Sequence, residues 1–98
     1  MCELEGSPEQ IAWAREIRRD VAQKMQLYER QYIAAHRPDR AEIVALGLER
    51  LLSQKSQASW WIDRRLDKAR TWEATLLQMV AAEEAERIYR KHYFPPLP

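Results

Sequence analysis

Apolar positions recur at helical spacing along nearly the whole chain. In the stretch 8–36, Ala14, Ile17, Val21, Met25, Tyr28, Tyr32 and Ala35 fall within a stripe about 80° wide when residues are set 100° apart. That pattern predicts one long amphipathic helix. Ser7-Pro8-Glu9-Gln10 marks its start: a hydroxyl that caps, a proline where a missing N–H costs nothing, and a glutamine placed for a capping box. His36-Arg37-Pro38 marks its end.

A second helix is predicted over 40–54, with Asp39 as its cap and Glu42 completing a second box. Val44, Leu48, Leu51 and Leu52 make its main apolar face, while Ile43 and Leu46 project to the other side. A helix apolar on two sides is either sandwiched or shared with a partner. Gly47 is read as a tolerated defect, worth about 1 kcal/mol against Ala, with a close helix crossing as the alternative. A third helix is predicted over 57–94. Ala58, Ile62, Leu66, Ala69, Trp72, Leu76 and Val80 share one face, with a possible break near 70–72. Beyond Leu77 the stripe migrates by about 100° to Ala81, Ala85 and Ile88, which implies a bend. Pro95-Pro96 should stop the helix and leave Leu97-Pro98 extended.

The expected fold is therefore all-α, one domain spanning residues 1–98, an elongated bundle of three or four helices. Length sharpens the picture. A compact chain of 98 residues has a diameter of roughly 33 Å, whereas helices over 8–36 and 57–94 would run about 43 and 55 Å. Such overhang suggests self-association, since a small core gains most from a second copy.

Composition removes several function classes. Sixteen Lys/Arg against fifteen Asp/Glu leave a formal charge of +1, so no strong overall field selects a polyanion or a membrane surface. The single cysteine, Cys2, excludes an internal disulfide or a cysteine-built zinc site, and two glycines exclude a Gly-rich phosphate loop. The opening residues carry neither a targeting pattern nor an apolar span, so a reducing cytoplasmic setting is the expectation.

Catalytic chemistry finds little support. His36 and His92 both fall at predicted helix ends, where a cationic side chain complements the helix dipole. Glu83, Glu84 and Glu86 lack the Glu-x-x-His pattern of a helical metal site and instead set Glu83 against Arg87 and Glu86 against Arg90 at i, i+4. No catalytic residue, cofactor or metal set is assigned, and the chain is read as a non-enzyme.

Charge patterning offers two other readings. Arg15, Arg18 and Arg19 form one basic cluster, and Arg64, Arg65, Lys68 and Arg70 a second. Glu16, Asp20, Asp63 and Asp67 interleave with them, which weakens a nucleic-acid surface by cancelling counterion release. The same eight-residue pattern places like charges at i, i+4: Arg15 with Arg19, Glu16 with Asp20, Asp63 with Asp67, Arg64 with Lys68. Arg15 and Arg19 facing Asp63 and Asp67 would relieve this, pairing the first and third helices within or between chains.

Four tryptophans complete the pattern. Trp72 lies on the core stripe, Trp13 and Trp61 at stripe edges, and Trp60 opposite its helix's apolar face. An outward indole is the kind of residue that anchors interfaces. The expected partner-binding set is Trp60, Trp13, Arg15, Arg19, Asp63, Arg64, Ile43 and Leu46, with Tyr93-Phe94 as further anchors.

Two segments also carry a resemblance: Gly6-Ser7-Pro8-Glu9-Gln10-Ile11-Ala12-Trp13-Ala14-Arg15-Glu16-Ile17-Arg18 and Ala58-Ser59-Trp60-Trp61-Ile62-Asp63-Arg64-Arg65. Together they resemble a short helical module of uncharacterised bacterial and phage or prophage proteins. The resemblance implies that setting and no activity. The sequence thus favours a non-enzymatic protein-binding protein, one version being a phage-encoded inhibitor of a host defence complex. Self-association is expected, and a DNA- or RNA-binding regulator is the alternative.

Overall fold

A computed structural model of the chain describes residues 2–95, which fold into five helices: α1 (Pro8–Ala34), α2 (Pro38–Gln54), α3 (Ala58–Asp63), α4 (Ala69–Leu77) and α5 (Ala82–Tyr93). The bundle is elongated, 54 × 22 × 18 Å, as the long first helix requires. No helix is long and apolar enough to cross a membrane among the described residues.

The predicted start of α1 forms in full. Ser7 Oγ accepts the Gln10 N–H at 3.2 Å, and Gln10 Oε1 accepts the Ser7 N–H at 3.0 Å. The helix stops in a Schellman turn, with the His36 N–H on Ile33 O (3.1 Å) and the Arg37 N–H on Tyr32 O (2.8 Å). His36 takes the left-handed conformation there, φ 59°, where glycine is usual.

Asp39 does not cap α2. Arg37 holds the cap position without a side-chain capping bond, and Asp39 is buried at the second helical position. It is claimed by Arg37 and by Tyr93 from α5, a tertiary arrangement that outcompetes local capping.

α2 is the sandwiched helix that its two apolar faces suggested. Val44, Leu48 and Leu51 join the main core with Ala14, Val21, Met25, Ala58, Trp61, Trp72 and Leu76. Ile43 turns the other way and meets Val80 and Ile88 in a second cluster, with Leu46, Leu77 and Ala85 against it. The helix from this chain's own C-terminal half covers that face. Among the described residues α5 packs on α2 and on no other helix.

Gly47 is a crossing point rather than a defect. A Cβ at this position would stand 2.5 Å from the carbonyl oxygen of Leu76, so α4 approaches α2 more closely than any side chain permits.

The third predicted helix breaks twice, at 64–68 and 78–81, and not near 70–72. Trp61 and Trp72 stack with ring centres 5.7 Å apart and planes 21° apart. On one continuous helix, eleven residues would separate them by about 16 Å. Stacking two large indoles therefore overrides a periodicity that ran on without punctuation. The turn is closed by short-range bonds from the Arg64, Arg65 and Asp67 N–H groups. It throws Leu66, assigned to the core face, out to 84% exposure. α5 ends before Pro95; the extended tail expected at Leu97-Pro98 lies outside the described residues.

Residues 2–5 run extended beside the α2–α3 connection. The Glu5 N–H donates to Ser56 O at 2.7 Å and the Ala58 N–H to Glu5 O at 2.9 Å, a single parallel bridge that seats Leu4 in the core.

Candidate functional site

Three carboxylates fasten α5 along α2. At one end Glu84 takes a two-pronged bond from Arg50, whose Nη1 also donates to Met79 O at 3.0 Å. That bond, helped by the Ala81 N–H, pulls the Glu84 carboxyl down to about 2. In the middle, both oxygens of Glu42 lie 2.7 Å from Lys91 Nζ, and one lies 3.0 Å from His92 Nε2. The Lys91 bond lowers Glu42 against the opposing effect of burial. At the far end Arg37 grips Asp39 with two bonds of 3.1 Å, and Tyr93 Oη donates to the same carboxylate at 2.7 Å. Arg37 holds Asp39 well below the usual carboxylate range, and the bond to Asp39 pushes Tyr93 up. His92 is thus engaged in the fold, and His36 serves as a helix stop.

Anchored in this way, α5 presents aromatic rings on its outer side. Tyr89 and Tyr93 have ring centres 4.7 Å apart, and Phe94 lies 6.2 Å from Tyr89. Tyr89 is 44% and Phe94 70% exposed. A groove lined by Glu86, Tyr89, Arg90 and Phe94 runs across them, and Arg90 is paired with Glu86 at 2.8 Å.

The partner-binding set read from the sequence scatters over several faces. Trp60 is half-buried, edge-on to Trp61 at 5.0 Å and to Trp72 at 5.9 Å. Arg64 covers its ring at 4.2 Å and Lys55 at 5.3 Å. It completes a tryptophan cluster because α3 lasts only six residues and its nominal outer face meets α4. Arg64 also donates to Trp60 O at 3.2 Å, so it is held by the fold. Ile43 is buried beneath α5, and Leu46 is half-buried beside it.

Trp13 does reach solvent, 46% exposed, with the Arg65 guanidinium 5.1 Å from its ring centre. Arg15 and Arg19 are exposed, and Asp63 too. Among the described residues, no ion pair joins Arg15 or Arg19 to Asp63 or Asp67, so the proposed register between first and third helices is not made within the chain. The Glu83–Arg87 pair is likewise absent from those ion pairs, whereas Glu86–Arg90 forms. Arg15, Arg18 and Arg19 instead line a groove of about 340 Å³ floored by Ala22 and Leu52.

Sequence reasoning missed the three-carboxylate fastening and Tyr89. Tyr89 and Tyr93 at i, i+4 were a usable signal. Arg50–Glu84 and Asp39–Tyr93 join residues 34 and 54 apart, and local spacing carries no trace of them. No group of three or more His, Cys, Asp or Glu is placed to hold a metal ion among the described residues. No protein-family model, curated protein or solved structure matches the chain.

Proposed function

We propose that this chain is a non-catalytic helical module that binds another protein through the aromatic surface of α5. The observation that carries the reading is the exposed Tyr89–Phe94 pair on a helix fixed at three points. Aromatic residues dominate interface hot spots, and a surface already held in place loses little freedom on binding. A second copy of the chain is one eligible partner, given the elongated shape. The narrower version, a phage-encoded inhibitor of a host defence complex, rests on the two-segment resemblance and on size.

The alternative, a nucleic-acid regulator, draws on the two basic clusters. Arg64 and Arg65 speak against it: each guanidinium lies over an indole and donates to a carbonyl of its own turn.

Affinity capture from extracts of the source cells, run beside light scattering of the purified chain, tests the reading. Tyr89→Ser/Phe94→Ser should abolish a specific captured protein or dissociate a dimer while leaving the circular dichroism unchanged. Unaltered capture and mass would remove α5 as the binding surface, and steep salt-dependent binding to duplex DNA would support the regulator instead.

A further inference from the structure

The groove on α1 has a chemistry that the aromatic surface does not share. Set 100° apart, Arg15, Arg18, Arg19 and Ala22 occupy a sector about 100° wide, and Glu16 and Asp20 lie roughly 130° from its centre. The bases therefore face the groove and the acids turn away from it, Glu16 at its edge beside Arg19. Arg18 is oriented by its bond to Cys2 O at 3.0 Å. Arg15 and Arg19 belong to none of the ion pairs formed by the described residues. Three guanidiniums line it, none of them paired with a carboxylate among the described residues, above a floor made by Ala22 and Leu52.

We propose that this groove binds a segment of a partner protein that carries a carboxylate beside an aliphatic side chain. The carboxylate lies between Arg15 and Arg19, where planar forks suit two-point recognition, and relieves their i, i+4 repulsion. The aliphatic group covers Ala22 and Leu52. A volume of about 340 Å³ is near the bottom of the range of roughly 300–1,000 Å³ typical of small-molecule pockets, enough for one or two side chains. Nucleic acid fits less well. A phosphate backbone needs a continued line of cations, yet about two turns along the same sector stand Glu29 and Ile33. The inference rests on the reading of the chain as a protein-binding module but uses a different face.

Fluorescence anisotropy with a labelled ten-residue peptide of alternating glutamate and leucine tests it, against a lysine–leucine peptide and a 20-base-pair duplex. The acidic peptide should bind at least tenfold more tightly than either control, and the affinity should fall with added salt. Arg15→Glu/Arg19→Glu should reverse the preference, losing the acidic peptide at least tenfold and gaining the basic one, a result that misfolding does not produce. Tyr89→Ser/Phe94→Ser should bind the acidic peptide as the parent does. Equal binding of both peptides, no binding, or tighter binding of the duplex overturns the proposal. If capture through α5 persists in any of those cases, only the groove assignment falls.

Discussion

The backbone oxygen of Leu76 stands 2.5 Å from where a Cβ would project from Gly47, and that gap sets the distance between α2 and α4. In an exposed helix, replacing Gly by Ala adds about 1 kcal/mol of stability. Here the sign inverts. Gly47→Ala must push α4 outward and loosen Leu76, which is fully buried. Urea unfolding should show a loss of about 1–3 kcal/mol, the usual range for overpacking. A gain would mean that α4 shifts freely.

His36 is the opposite case. It holds φ 59° without the symmetry that makes glycine indifferent to that region, at a cost of about 1–2 kcal/mol. Its backbone closes the Schellman turn, and its side chain is exposed. His36→Gly should raise stability by about 0.5–1 kcal/mol once the looser unfolded chain is counted. Thermal and urea unfolding report the same quantity, and a loss in both would reveal an unrecognised role for the imidazole.

Acid should loosen α5. Glu84, Glu42 and Asp39 are all held below their ordinary values when folded, chiefly by Arg50, Lys91 and Arg37 respectively. A depressed folded value means the unfolded chain binds the proton more tightly, so each contribution is complete above the ordinary carboxylate range and disappears as pH falls through the folded value. For Glu84 that window runs from 4.5 down to about 2. Hydrogen exchange across α5 should quicken in this range before α1 does. Glu84→Gln should flatten part of that pH dependence; an unchanged profile would place the acid sensitivity elsewhere.

Trp60 and Trp13 separate core from surface. Trp60→Ala removes an edge-on partner from both Trp61 and Trp72 and should cost about 2–4 kcal/mol, near the range for large aromatics cut to Ala. Trp13→Ala loses a ring shared with Arg65 and solvent, and should cost less than about 1.5 kcal/mol. Equal losses in guanidinium chloride unfolding would contradict this assignment.

These contrasts show where a linear reading succeeds. The α1 stripe, its capping box and the two-faced α2 were legible because periodicity and capping are local. The breaks around α4 were not. No proline or glycine interrupts residues 64–81, and the chain turns there because Trp72 returns onto Trp61 and Val80 onto Ile43. The outward direction read for Trp60 fails for the same reason, since it presumes a helix that continues. The arginine groove was half visible: the cluster could be read, but the Cys2 carbonyl that orients Arg18 and the Leu52 floor come from distant parts of the chain.

Residues 2–5 are fastened by partners far along the chain. Cys2 closes on Leu52, fifty positions away, and Glu5 on Ser56. During synthesis residues 2–5 have little to grip until the second helix has left the ribosome, so α1 first exists with its stripe uncovered. Residues 2–5 therefore settle only after α1 and α2 have met, and Glu5→Pro, which removes the N–H bonded to Ser56 O, should speed unfolding more than it slows refolding in stopped-flow.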